Sequence, residues 1–172
     1  MDYILRILPN MFAGLGVSAQ IFLITIALSL PIGILLALVR ISIVAVFRTL
    51  TEIYIYVMRC TPLMLQIMFL YYGLPLILNV QISDFPAAIL AFVANYAAYF
   101  AEIFRGGIQS IPKGQYEGGK VLGFTYRQTM WHIVLPQVVK RVIPPLGNET
   151  ITLLKDTSLV YILAMNDLMR VT

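Results

Sequence analysis

The chain has 172 residues, 60% of them hydrophobic and 12% charged, with a mean hydropathy of +0.87. Soluble domains run at roughly 45–50% apolar and about 25% charged, so this composition excludes an ordinary water-soluble protein and implies one that lives in a bilayer. The net charge of +4 requires no nucleic-acid partner, since the basic residues fall where membrane topology puts them, and a single cysteine, Cys60, excludes an internal disulfide or a cysteine zinc site.

Residues 1–16, with Asp2, Arg6 and Pro9, read as a short amphipathic lead-in near the outer interface. From Ile7 to Val39 no Asp, Glu, Lys or Arg occurs, a longer run than the roughly 20 residues a helix needs to cross hydrocarbon. The first span is expected over Val17 to Val39, with a kink near Pro31 and Gly33. That run is too long, its leading charge too weak and its flank too poor in small residues for a cleaved signal peptide. Arg40 and Arg48 follow; basic loops stay in the cytoplasm, which puts the amino terminus outside.

A second span is expected over Ile53 to Leu78, interrupted at Arg59-Cys60-Thr61-Pro62, where Thr61 can cap and Pro62 can begin a fresh helical run. Tyr71 and Tyr72 fall toward the far interface as aromatic belts do. Tyr54 and Tyr56 read as anchors, and Gln66, alone on an apolar face, as an interhelical hydrogen bond. Asn79 to Asp84 has no Lys or Arg and fits an outside turn. The third span, Phe85 to Phe104, carries two stripes. Ala87, Ala91, Ala94, Ala98 and Ala101 recur at intervals of four and three, a small-residue track along which another helix can approach closely. Asn95, Tyr99 and Glu102 share that spacing on an adjacent face. An amide and a carboxylate at such depth belong toward the bundle or a wet cavity. Arg105, Gly106 and Gly107 are expected to end this helix.

Lys113, Lys120 and Arg127 mark the next stretch as cytoplasmic. Pro112 suits a first helical position and Gly123 the left-handed residue that closes a helix, which defines a short helix over about 112–122. Thr125 and Gln128 have the form of a capping box opening a second helix that runs into Pro136. Gly114, Gly119 and Lys120 match the start of a phosphate-binding loop, but Val121 stands where a Ser or Thr must hold Mg²⁺ and no buried strand precedes, so no nucleotide site is assigned. Past Pro136 the chain re-enters the membrane through Lys140 and Arg141. Pro144, Pro145 and Gly147 are expected to break the helix before a run holding Asn148, Glu149, Thr152, Lys155 and Asp156. Broken helices with polar residues at depth are what transporters present to a substrate.

The stretch Glu117 to Pro136 resembles the cytoplasmic loop of bacterial ABC-importer permeases, whose pattern is Glu-Ala-Ala, three residues, Gly, nine residues, Ile-x-Leu-Pro. Glu117, Gly123, Ile133, Leu135 and Pro136 fall in register, while Gly118 and Gly119 replace the two alanines, weakening the helix by up to about 1 kcal/mol per change. The segments 98–108 and 146–168 resemble the corresponding parts of polar amino-acid permeases. At 59–62 the family usually shows Arg-Gly-Thr-Pro, and Cys60 departs from it.

The resemblance implies an all-α, polytopic transmembrane bundle of the type I ABC importer permease kind: one permease domain over 1–172 with a coupling loop at about 106–135. Members of the family have five spans, so the chain is expected to lack the last helix. It implies a multi-pass protein of the bacterial inner membrane with no catalytic residue, metal site or cofactor, ATP and Mg²⁺ being bound by separate ATPase subunits. Two of those would dock on Glu117, Gly118, Gly119, Leu122, Gly123, Ile133, Leu135 and Pro136. A second permease copy or paralogue would complete the pathway in the bilayer, and an extracytoplasmic binding protein would deliver an amino acid. Asn95, Tyr99, Glu102, Asn148 and Glu149 are the candidate substrate contacts. Against these stand local pairings, above all Glu102 with Arg105. A permease for methionine or an osmolyte is the alternative. One histidine, one cysteine and no His-x-x-x-His or paired-Asp motif argue against a membrane-embedded hydrolase or transferase. His132 reads as interfacial.

Overall fold

A computed structural model describes residues 2–79 and 82–163, and among these no strand occurs. Helix α1 spans Asp2–Arg40. The expected lead-in is therefore not a separate element: the uncharged run carries the helix through it. Of α1, Gly14–Arg40 is long and apolar enough to cross a membrane, as is α5, Asp84–Gln109. Among the described residues these two helices pack together most extensively. On α1 the buried face reads Gly14, Ser18, Ile21, Thr25, Ser29, Gly33 and Ala37, mostly small residues at steps of four and three. It lies against α5, where Ala87, Ala91, Ala98 and Ala101 of the alanine track are buried and Ala94 half-buried, Ala98 and Ala101 also packing with Ile55 of α2. Small against small lets the backbones approach. Gly33 serves this contact, for a Cβ there would sit 2.7 Å from the Phe100 Cβ and 3.2 Å from the Ala97 carbonyl.

Helix α2, Ala45–Cys60, ends where the sequence is interrupted, and α3, Leu63–Met68, departs at a bend of 105°. Thr61 closes α2 instead of opening α3: its hydroxyl donates back to the Val57 carbonyl at 2.8 Å, and Pro62 is the residue that precedes α3. Gln66 stitches the bend, its amide donating to the Met58 carbonyl at 2.9 Å and the Thr61 hydroxyl at 2.7 Å. Asn95 of α5 donates to the same Met58 carbonyl at 2.9 Å and to the Gln66 side-chain oxygen at 3.1 Å. Tyr54 donates to the Ala94 carbonyl.

Two π turns follow one rule. Phe69–Gly73 precedes Leu74-Pro75 of α4, Leu74–Leu78, and Met130–Val134 precedes Leu135-Pro136 of α8, Leu135–Asp156. In each, the leucine before the proline bonds five residues back, Leu74 to the Phe69 carbonyl and Leu135 to the Met130 carbonyl. A proline has no N–H to give and its ring crowds the carbonyl four residues earlier, so a locally widened turn relieves both faults.

Helix α5 runs past Arg105 to Gln109, because Gly107 is buried against Val138 and Val142 of α8 and does not terminate anything. Helix α8 likewise runs unbroken through Pro144, Pro145 and Gly147, contrary to the expected break. Proline's φ is helical, and the two carbonyls it leaves free, those of Lys140 and Arg141, belong to exposed residues. A 3₁₀ turn, Thr157–Leu163, ends the described part. The turn expected at Asn79 to Asp84 lies partly outside the described residues, as does the end of the 146–168 segment. The core gathers around Phe92, Tyr96 and Phe100 of α5, with Ile21, Ile67, Leu153 and Val160.

Candidate functional site

Two regions bear the candidate residues. The first is the hairpin of α6, Lys113–Val121, and α7, Tyr126–Thr129. Pro112 sits just ahead of α6. At the far end Gly123 adopts φ +76°, the Gly123 N–H bonds the Lys120 carbonyl at 3.0 Å, and the Phe124 N–H bonds the Gly119 carbonyl at 2.9 Å. This pair of bonds closes a helix through a left-handed glycine. Thr125 and Gln128 form the capping box: the Thr125 hydroxyl accepts from the Gln128 N–H at 3.3 Å while the Gln128 side chain accepts from the Thr125 N–H at 2.8 Å. Gly119 is buried where α6 crosses α7, and any Cβ there would collide with the Thr129 side chain.

Outside that crossing the hairpin is open. Glu117, Gly118, Gly123 and Pro136 are exposed, Ile133 and Leu135 half-buried. Leu122, Tyr126 and Trp131 stand 69%, 72% and 67% exposed, large apolar side chains of the kind found where a surface is covered by a partner. The inner side is anchored: Ile111 packs with Val134, Val138 and Val142, and Gln137 donates to the Gln115 side chain at 3.0 Å.

The second region is a cavity of about 440 Å³ at the α2–α3 bend. It brings together Asn95 and Tyr99 with Glu149, but not the other two candidates. Glu102 lines a neighbouring cavity of about 370 Å³, and Asn148 is exposed on α8 and lines neither. Asn95 has its amide hydrogens committed to the bend, as described above. Glu102 is held by Arg105 through two bonds, Nε to Oε1 at 2.9 Å and Nη2 to Oε2 at 2.6 Å.

The larger cavity also holds four groups that the sequence reading did not select: Arg59, Tyr96, Thr152 and Asp156. Glu149, Thr152 and Asp156 are spaced three and four apart, so they share one face of α8; that periodicity was available as a signal. Tyr96 donates its hydroxyl to Asp156 at 2.7 Å. Arg59 lies over the Tyr99 ring, 5.2 Å from its centroid. Among the described residues the cavity thus offers one guanidinium and two carboxylates, set among the polar side chains of Thr61, Asn95, Tyr96, Tyr99 and Thr152. Among the described residues no cluster of His, Cys, Asp or Glu could hold a metal ion.

Two packed helices of bilayer length, a polar cavity between α5, α8 and the α2–α3 bend, and an exposed hairpin joining α5 to α8 fit a membrane permease. The chain belongs to the family described as binding-protein-dependent transport system inner membrane component, whose model matches residues 29–172. It is 40% identical over 163 residues to the arginine transport system permease protein ArtQ of Bacillus subtilis (strain 168), covering 95% of this chain and 74% of that relative. It is 35% identical to the glutamine transport system permease protein GlnP of Escherichia coli (strain K12), covering 95% and 75%. A solved structure of an amino acid ABC transporter with histidines superposes at a TM-score of 0.90 with 32% identity, over 98% of this chain and 78% of its own. A methionine ABC transporter in an inward-facing conformation, at 18% identity and a TM-score of 0.63, shares the fold alone. The all-α architecture is that of the type I ABC importer permeases.

Proposed function

We propose that this chain is the membrane-spanning subunit of an ATP-driven importer for a polar amino acid, with its amino terminus outside the cell. In this reading two ATPase subunits dock on the α6–α7 hairpins of two permease subunits, the second being a copy or a paralogue, and a binding protein outside delivers the substrate. ATP-driven closure of the ATPases pushes the hairpins, and the bundles rock between inward-open and outward-open packings that differ by a few kcal/mol. The chain itself breaks no bond.

The observation that carries the substrate class is the larger cavity, where Arg59 faces Glu149 and Asp156. An amino acid carries an ammonium and a carboxylate, and this lining offers a partner for each. Charged groups at such depth are costly unless a ligand or a counter-ion uses them. Methionine's apolar side chain has less use for the second carboxylate, and the names of the relatives, arginine and glutamine permeases, agree with a polar substrate.

The test is uptake by the reconstituted complex across a panel of labelled amino acids. Native protein is expected to import at least one polar amino acid, and Glu149→Gln to shift its affinity or preference by about tenfold, the worth of one charge-assisted bond. Unchanged kinetics for every amino acid in the panel would remove this cavity from the path.

A further inference from the structure

Arg59, Cys60 and Tyr99 line both cavities, so these residues form the wall between them. Arg59 is held there loosely. Its Nη1 stands 4.0 Å from Oε2 of Glu102, whose two oxygens are already bonded by Arg105, and its side chain is 43% exposed. Its other hold is the face of Tyr99. Withdrawing Arg59 therefore leaves Glu102 still paired.

On the other side of the wall the charges do not balance. Among the described residues neither Glu149 nor Asp156 has a Lys or Arg within 4.0 Å, and Asp156 accepts only the neutral Tyr96 hydroxyl. An ammonium entering this cavity meets two carboxylates. The carboxylate of the same molecule needs a cation, and among the described residues Arg59 is the cation in the lining. Its place in the chain favours movement as well, since it is the penultimate residue of α2, immediately before the 105° bend.

We propose that Arg59 is a handover residue: on arrival of an amino acid its guanidinium leaves Glu102 for the substrate carboxylate, and its departure opens the wall toward the Glu102 cavity. Occupancy of the first cavity thereby clears the way into the second. This rests on the reading of the larger cavity as the substrate's passage.

The test uses the permease–ATPase complex without its binding protein, so that recognition is read at the membrane subunit. L-arginine and L-glutamine are the probes. Binding is followed by how well each protects Cys60, the one cysteine of this chain, from N-ethylmaleimide, scored by the mass of this chain. Arg59→Gln is expected to raise the half-protecting concentration by about tenfold or more, the effect of one lost charge-assisted hydrogen bond. Arg59→Lys raises it less. Glu102→Gln lowers it by about twofold or more, because Arg59 is then free to pair with the ligand. Opposite signs for the two positions distinguish a handover from a structural ion pair. If Arg59→Gln fails to assemble, weaker binding in Arg59→Lys with tighter binding in Glu102→Gln still decides for the handover.

Equal weakening in Arg59→Gln and Glu102→Gln overturns it, as does unchanged protection in Arg59→Gln while Glu149→Gln loses protection; the cavity reading survives both results. A native complex protected by neither probe, with uptake indifferent to Glu149→Gln, sinks the cavity reading and the handover with it.

Discussion

Two parts of this molecule bring helices together over a glycine, under opposite conditions. Between α1 and α5, Gly33 meets the Phe100 Cβ inside a long, buried small-residue seam. Between α6 and α7, Gly119 meets Thr129 in a hairpin whose other residues are mostly exposed. The first contact is backed along its whole length by neighbouring side chains. The second is closed by local bonds, the Gly123 closure and the Thr125–Gln128 box, and tied to α8 on its inner side alone, through Ile111 and Gln115. A seam is hard to deform; a hairpin whose shape is set by its own caps keeps that shape with its outer side bare.

Substitutions can break that contrast, and their expected effects on the fold descend in order. Gly33→Leu forces a branched side chain into the seam and should cost about 3 kcal/mol, the upper part of the overpacking range, seen as a lowered melting temperature of the detergent-solubilised protein. Gly123→Val places a β-branched residue at φ +76° and should cost about 1–2 kcal/mol, confined to the hairpin: amides of α6 and α7 exchange hydrogen faster while those of α5 do not. Thr125→Ala removes the cap and should cost about 1 kcal/mol at the same amides. Glu117→Arg reverses an exposed charge and should leave stability within about 0.5 kcal/mol, yet abolish copurification of the ATPase and uptake. Retained copurification would disconnect Glu117 from docking.

The hairpin was legible because its signals are local. A left-handed glycine and a capping box act through bonds spanning three to five residues, and the sequence states them outright. The seam was half legible: the alanines of α5 announced themselves, but Ser18, Thr25 and Ser29 on α1 read as unremarkable polar residues in an apolar run until their common face was seen. Pro144 and Pro145 misled for a different reason. A proline's cost to a helix depends on whether the freed carbonyls are stranded, and those of Lys140 and Arg141 belong to exposed residues. Of the cavity, Asn95 and Tyr99 could be named from spacing and Glu149 from an expected helix break that does not occur, whereas Arg59 could not, because its place over the Tyr99 ring is a contact between α2 and α5 that no local pattern encodes.

The π turn at Met130–Val134 fixes the bearing of the whole hairpin. The buried positions step from Thr129 to Val134, then to Val138 and Val142: one stride of five, then strides of four. That surplus residue rotates everything upstream by about 100° about the axis of α8, the angle one residue subtends in an α-helix. A chain shortened by a single residue here would keep its caps and its helices and still aim its exposed face a quarter-turn away, like a key cut correctly and held sideways.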